Sequence, residues 1–526
     1  MKHRKTCLGL LLALSTSAAL AVAPKIAVGY DHMLLLKSDG TVWAWGGNGS
    51  GQLGTGSNIP STTPVQVPGL TGVVDVVARE GGLSMALKAD GTVWIWGANS
   101  DDLTGVATLG GVFNNAPVRV SNLGSMTAIA AAMDGYTAFA TDPTGKVWAW
   151  GNNNSGELGD GKLLRRPAPL PVTGLDGVLQ MAATPAQVSA LRSDGTVFSW
   201  GYNATGDALR TGQSVGGSAA AAALANLPKL TAVVGVNSNT TGLFMGLDAQ
   251  GTVLAWGDTN SGLLNCHQDI GNAAVSSLTQ PYSPTGLTQV KQIAGGGLYA
   301  LFLTQSGAVK ACGYNADGQL GDGTTKGTTR DSPAKAGPVS VTGLPTDVSF
   351  IAAGANASAA IAADGKVFTW GRASGGLSGL ANQTAANNTT PQAVTINAGA
   401  LAAAPAIFSC TQTGALKSTS LSVGVAVAPA HVGQTGEIYL VIALPTGQIL
   451  VFNSAGQLLP YDPTKPIEPF LKGALPARLP LALVANADLT GLGGTQIIVG
   501  YGLGSGAAAN ADLLGGGRFA AVLSLK

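Results

Sequence analysis

An eight-residue segment recurs seven times, and it constrains the fold more than any other feature of this chain. The copies are Asp39-Gly-Thr-Val-Trp-Ala-Trp-Gly46, Asp90-Gly-Thr-Val-Trp-Ile-Trp-Gly97, Thr144-Gly-Lys-Val-Trp-Ala-Trp-Gly151, Asp194-Gly-Thr-Val-Phe-Ser-Trp-Gly201, Gln250-Gly-Thr-Val-Leu-Ala-Trp-Gly257, Ser306-Gly-Ala-Val-Lys-Ala-Cys-Gly313 and Asp364-Gly-Lys-Val-Phe-Thr-Trp-Gly371. Their turn glycines Gly40, Gly91, Gly145, Gly195, Gly251, Gly307 and Gly365 lie 51, 54, 50, 56, 56 and 58 residues apart. A period near fifty is the size of a propeller blade and too long for a leucine-rich or ankyrin unit.

Each copy reads as a β-hairpin. Asp-Gly between two apolar runs favours a tight type I′ turn, in which both central residues need positive φ. An apolar run such as Met33 to Leu36 or Met85 to Leu87 precedes it, and Val42 and its equivalents open a second, alternating strand. All nine tryptophans of the chain fall inside these segments. Trp45, Trp96, Trp150, Trp200, Trp256 and Trp370 hold one position; Trp43, Trp94 and Trp148 stand two residues earlier, on the same strand face. A large aromatic at one place in every unit is expected to pack between neighbouring units, as core and not as a ligand cage.

Three copies continue into Gly51-Gln-Leu-Gly54, Gly156-Glu-Leu-Gly159 and Gly318-Gln-Leu-Gly321. With the Trp-Gly ending, this pattern resembles the regulator-of-chromosome-condensation repeat, also called the alpha-tubulin-suppressor-like repeat. The resemblance implies a seven-bladed propeller of four-stranded blades that binds and does not catalyse. His32 stands where the family carries a structural histidine. The departures are late: Lys310 and Cys312 replace the aromatics of the sixth copy, and the fourth, fifth and seventh lose the Gly-Gln-Leu-Gly loop. The full unit reads Pro-x-x-Val, Gly-Leu, a Val-rich strand, then the hairpin. On that division Pro391 to Val394 is surplus and is expected to complete the first blade, closing the ring by pairing the two chain ends.

The fold class is therefore all-β, a seven-bladed β-propeller followed by a small C-terminal β-sandwich-like domain. Boundaries are expected at 1–21 (leader), 22–397 (propeller), 398–417 (linker) and 418–526 (tail). Lys2, Arg4 and Lys5 precede the apolar Leu8 to Leu14, and Ala19-Leu20-Ala21 supplies a cleavage site, the pattern of an export signal. The expected location is secreted, periplasmic or on the cell surface of a bacterium, with no membrane span in the mature chain. Of the cysteines left after cleavage, Cys266, Cys312 and Cys410, two are expected to pair and one to stay a thiol, with the pairing open. In the tail, β-runs are expected at Leu421 to Val427, Ile438 to Ala443, Gln448 to Phe452, Ile497 to Tyr501 and Arg518 to Leu525.

Composition narrows the function. Only 10% of residues are charged and the net charge is +1, which argues against a nucleic-acid partner. Gly49-Ser-Gly-Gln-Leu-Gly54 matches a dinucleotide fingerprint, but it is the repeat's own loop with no following helix. Gly212-Gln-Ser-Val-Gly216 matches a nucleophile elbow without the strand or histidine that chemistry needs. No catalytic residue, metal site or cofactor is expected. Length variation between copies gathers after the Trp-Gly strand, in Asn99 to Asn115, Tyr202 to Asn226, Asp258 to Ser283, Tyr314 to Gly337 and Arg372 to Thr390. These connections should share one face, and function concentrates in loops on a rigid scaffold. The candidate contact residues are Asp101, Asp102, Phe113, Tyr202, Arg210, Tyr282, Tyr314 and Arg330, since Tyr, Phe and Arg dominate interface hot spots. The expected function is an exported, monomeric binder of a protein or surface glycan. A structural or adhesive envelope module and a secreted enzyme inhibitor are the alternatives, and a propeller enzyme is the weakest reading.

Overall fold

The computed structural model describes residues 22–99, 103, 113–203, 216–236, 242–258, 277–325 and 338–398, and nine strands between 407 and 524. The chain divides into two compact units, one Pro24–Leu401 and the other holding Ala402–Lys526.

Pro24–Leu401 is a seven-bladed β-propeller built of seven antiparallel four-stranded sheets, each taking its strands in chain order. In blade one these are the inner strand Lys25–Val28, then His32–Leu36, Val42–Gly46 and the outer strand Ser61–Gln66. The inner strands of the other blades are Val73–Ala78, Ala128–Ala131, Val178–Ala183, Leu230–Val236, Val290–Gly295 and Val348–Ala353. The second strands are buried almost throughout because both faces are covered; all five residues of His32–Leu36 are buried.

The hairpins differ from the expected two-residue turn. Lys37 N donates to Thr41 O at 2.9 Å and Gly40 N to Lys37 O at 2.9 Å, so the loop is the three residues Ser38-Asp39-Gly40. Gly40 takes φ 75° while Asp39 keeps a negative φ, the pattern of a type I turn with a G1 bulge. Asp39 is there as an acceptor: its carboxylate takes the Thr41 amide at 2.9 Å.

Neighbouring blades are fastened by the signature tryptophan. Trp96 Nε1 donates to Gln52 O at 2.9 Å, Trp150 to Leu103 O at 2.7 Å, Trp200 to Glu157 O at 2.7 Å and Trp370 to Gln319 O at 2.9 Å. Each acceptor lies seven residues beyond the equivalent position of the preceding blade. Two residues further on stands a glycine: a Cβ on Gly54 would sit 2.8 Å from Trp96 Nε1, and one on Gly321 2.7 Å from Trp370 Nε1. The loop is itself held by a buried asparagine; Asn48 Oδ1 accepts from Leu53 N, and Asn153 and Asn315 do the same for Leu158 and Leu320.

Inner strands of adjacent blades are joined through side chains. Gln292 Nε2 donates to Ile351 O and its Oε1 accepts from Ile351 N, Gln180 Oε1 accepts from Val233 N, Arg79 Nε donates to Ala131 O, and Lys25 pairs with Asp75.

The ring does not close by the expected strand exchange. Asn387–Asn397, which contains Pro391 to Val394, pairs with Lys366–Arg372 as the outer strand of blade seven itself. The inner strand comes first in each blade and Pro-x-x-Val last, so dividing the repeat before Pro-x-x-Val created a surplus strand that does not exist. Closure comes from three other features. Trp45 Nε1 donates to Leu377 O at 3.1 Å, Ser38 N donates to Ala398 O at 2.8 Å, and Ile26, Val28, Met33 and Leu35 pack with Ala352, Ile361, Val367 and Val394. Blade seven also keeps the loop that its sequence was read as lacking: Gly376 and Gly379 have φ 82° and 73°, and a Gly379 Cβ would lie 2.9 Å from Trp45 Nε1.

The second unit is all-β, with two antiparallel sheets. One orders Ile407–Thr413, Thr419–Ala426 and Arg478–Ala487; the other orders Leu458–Pro460, Ile449–Phe452, Thr435–Ala443, Gln496–Leu503 and Phe519–Ser524, with Leu471–Ala474 also paired to Thr435–Ala443. The first strand falls inside the stretch 398–417 that reads as a linker. Its small, alanine-rich flank hides a run that pairs with Thr419–Ala426.

Candidate functional site

Strand order alone places the variable connections. The third strand of each blade ends where the inner-to-second turn lies, so both open on the same end of the propeller, opposite the hairpins. Backbone bonds tie the two together: Gly47 N to Asp31 O, Asn152 N to Tyr136 O, Tyr202 N to Ala186 O, Tyr314 N to Leu298 O and Arg372 N to Asn356 O, all between 2.7 and 2.9 Å.

This end carries the exposed apolar surface. Among the described residues the large exposed hydrophobics are Tyr30, Ile59, Phe113, Tyr136, Leu163, Leu164, Leu170 and Tyr202. All but Leu170, which lies within an outer strand, stand on the loop face. Ile59 and Leu164 hold equivalent places in blades one and three and are 74% and 71% exposed. The reason is local: Asn48 Nδ2 binds Ile59 O at 2.9 Å and Asn153 Nδ2 binds Leu164 O at 3.2 Å, anchoring each backbone so that the side chain projects. Phe113, at the start of the outer strand of blade two, lies between them in blade order. Nearer the axis, the Arg372 guanidinium of blade seven lies over the Tyr30 ring of blade one at 4.9 Å.

Beneath the face the polar groups are committed to the scaffold. His32 is fully buried, and its Nε2 meets Ser84 Oγ at 3.0 Å. Ser84 Oγ donates its proton to Gln52 O at 2.8 Å, so the hydrogen-bond network assigns a proton to His32 Nε2. Tyr299 takes the same place in blade six, where Ser358 Oγ donates to Gln319 O at 2.8 Å and approaches Tyr299 Oη at 2.8 Å. Burial alone would raise the Asp31 carboxyl. The His32 hydrogen bond and charge and the Gln52 amide at 3.1 Å outweigh it and hold Asp31 below the usual carboxylate range. Glu157, which replaces the glutamine of blades one and six, is nearly inaccessible, and burial pushes its carboxyl up.

The inner strands surround a central channel of about 190 Å3. Its polar side chains, Arg79, Gln180, Gln292 and Lys25, are the ones already engaged between blades. Among the described residues no group of three His, Cys, Asp or Glu is arranged to hold a metal.

Of the sequence candidates, Phe113 and Tyr202 are exposed on the loop face and Tyr314 is half-buried there. Tyr282 lies opposite Ala255 within the outer strand of blade five and packs half-buried against that core. Asp101, Asp102, Arg210 and Arg330 lie outside the described residues. Ile59, Leu163 and Leu164 escaped sequence reasoning because they sit in the two connections of ordinary length, and Tyr30 and Tyr136 because they sit in inner turns. Buried asparagines at one offset from the Trp-Gly strand, Asn48 and Asn153 among them, were the available signal.

Comparison with known proteins agrees with this geometry. Two models of the regulator of chromosome condensation (RCC1) repeat match, one at residues 25–52 and 290–319, the other at 39–85, 144–190 and 306–361. The E3 ubiquitin-protein ligase HERC2 of Homo sapiens is 28% identical over 57% of this chain, which spans only 6% of that protein. The ultraviolet-B receptor UVR8 of Arabidopsis thaliana is 24% identical over 68% of this chain and 78% of its own length. Yeast RCC1 (Prp20), solved bound to Kap60, superposes with a TM-score of 0.57 at 19% identity, covering 72% of this chain and 86% of that one. Human WBSCR16 gives 0.53 at 22% identity, covering 65% and 88%. The repeat matches and the shared fold together show that this chain carries regulator-of-chromosome-condensation repeats in a propeller of that fold.

Proposed function

We propose that the chain is an exported, non-catalytic propeller that binds a protein partner through its loop face. The observation that carries this reading is the gathering of exposed Ile59, Phe113, Leu163 and Leu164 along the rim of blades one to three. Exposed large apolar side chains set on one loop face of a rigid scaffold point to an interaction site. The mixture of exposed aliphatic Ile59, Leu163 and Leu164 with aromatic Tyr30, Phe113, Tyr136 and Tyr202 is the make-up of a protein-binding surface. Yeast RCC1, which shares the fold, was solved bound to a protein, Kap60. The leader at Lys2 to Ala21 supports export. The ligase activity of HERC2 does not carry over, since so little of that protein is matched.

The test compares variants of the mature chain as bait against envelope and extracellular fractions. Ile59→Asp with Leu164→Asp should lose a partner that wild type retains. Leu170→Asp, an equally crude change at an exposed apolar residue off the face, should keep it. Equal retention by the double variant and wild type, with both folded, overturns the reading.

A further inference from the structure

In blade three the connection between Val147–Gly151 and the outer strand Arg166–Pro171 contains a short exposed segment held from beneath. Gly161, Lys162, Leu163, Leu164 and Arg165 all face solvent, Leu163 at 55% exposure and Leu164 at 71%. Asn153 is fully buried below them, and its Nδ2 donates to Lys162 O at 2.8 Å and to Leu164 O at 3.2 Å. Alternate carbonyls drawn to one side belong to an extended backbone, which turns the carbonyl between them, that of Leu163, the other way.

The base of the segment is clamped as well. The Asp160 carboxylate accepts from Lys162 N at 3.0 Å and pairs with the Arg166 guanidinium on the far side. Blade one has the same framework, with Asn48 Nδ2 bonded to Ser57 O and Ile59 O, both at 2.9 Å. Its middle residue is Asn58, whose Nδ2 is bonded back to Gly49 O at 2.9 Å. Blade three has a leucine at that point and leaves it in water.

An endopeptidase cleft selects these features. It places one side chain of an extended segment in a specificity pocket and needs that residue's carbonyl free to enter the oxyanion hole. Leu163 meets both demands, whereas the carbonyls of Lys162 and Leu164 are taken by Asn153. A loop already fixed in the bound shape loses little conformational entropy on binding. We propose that residues 161–165 form a substrate-like inhibitory loop for a serine endopeptidase with an apolar specificity pocket, and that Leu163 fills the pocket. This rests on the loop-face reading and gives that face, in blade three, a class of partner. Hydrolysis of the Leu163–Leu164 bond consumes one water and leaves a carboxyl on Leu163 and an amine on Leu164. Asn153 holds a residue on each side of that break and the Asp160–Arg166 pair spans it, so both ends stay in place and the reverse condensation, returning the water, competes with release.

The full chain is titrated against subtilisin and chymotrypsin, whose pockets accept leucine, and against trypsin, whose pocket requires a cation, each with a chromogenic peptide substrate. Subtilisin or chymotrypsin should be inhibited at a near-equimolar ratio while trypsin keeps its activity. Leu163→Asp should weaken that inhibition by about 100-fold or more, and Leu163→Lys should transfer it to trypsin. Both substitutions are at an exposed side chain, so the fold tolerates them. Failure to inhibit either leucine-accepting enzyme overturns the proposal. So does complete cleavage between Leu163 and Leu164 with the enzyme left active, or inhibition untouched by Leu163→Asp. Ile59→Asp, in blade one, should inhibit like wild type. If neither enzyme is inhibited and Ile59→Asp with Leu164→Asp still loses its captured partner, the inhibitory loop is refuted and the binding face stands.

Discussion

Trp45 and Leu377 are 332 residues apart in sequence, and the Trp45 indole nitrogen donates to the Leu377 carbonyl at 3.1 Å. That bond repeats, across the seam between the last blade and the first, the latch found within the ring. Trp45→Phe keeps most of the buried ring but leaves the Leu377 carbonyl without this donor, a loss of about 1–3 kcal/mol. Equilibrium urea denaturation should show it. Limited proteolysis should also cut the Trp45→Phe chain first in blade one or blade seven, while Trp370→Phe shifts the early cuts to blades six and seven. Identical cleavage patterns in the two variants would mean the latch is not local to its boundary.

The latch requires a bare backbone two residues past its acceptor. Gly379 and Gly375 both have positive φ, 73° and 70°, so alanine costs each roughly 1–2 kcal/mol from backbone conformation alone. Only at Gly379 does the new methyl also meet the Trp45 indole, at 2.9 Å; around Gly375 there is nothing within 4 Å. Gly379→Ala should therefore lower the thermal midpoint clearly more than Gly375→Ala. Equal shifts would show that the indole moves aside freely.

Glu157 stands where blades one and six use glutamine, and burial raises its carboxyl pKa above the ordinary 4.5. A raised folded-state value means the folded chain holds the proton more tightly than the unfolded chain. Its contribution to stability is thus fully present below the unfolded value and is lost as pH rises through the folded one. Glu157→Gln removes this term. The variant should match wild type near pH 4 and exceed it at pH 7 by no more than about 1 kcal/mol, the size of one net hydrogen bond. Taking the difference between the two chains cancels the hairpin aspartates such as Asp90, held low by Thr92, whose pH dependence runs the other way. A wild-type advantage at pH 7 would contradict the assignment.

Export makes a simple mass prediction. Cleavage after Ala21 leaves a mature chain beginning at Val22, and the propeller's first strand starts only at Lys25. Intact-mass measurement of protein recovered outside the cytoplasm should show the loss of residues 1–21. A full-length species of 526 residues confined to the cytoplasm rules the leader out.

What the sequence determined by itself was everything that repeats. Asp-Gly, the alternating valine and the Trp-Gly ending are local signals, and seven copies in register specify hairpins, blade number and the face on which the connections emerge, because strand order leaves no other choice. In the second unit the same alternation located Thr435–Ala443 and Gln496–Leu503 but passed over Arg478–Ala487, where Leu479, Leu481 and Leu483 alternate but Pro480 interrupts the strand signal. Tertiary structure decided whatever depends on a neighbour. The seam is one case: Pro391 to Val394 is an equally good strand in either blade, and only its ladder with Lys366–Arg372 assigns it to blade seven, while Val394 packs across the seam with Ile26 and Met33. The face is another. Loop length pointed to Tyr282, which packs inward, while Ile59 and Leu164 project because buried Asn48 and Asn153 hold their carbonyls from within. Which side of a chain meets water is set by what covers the other side, and no local pattern records that.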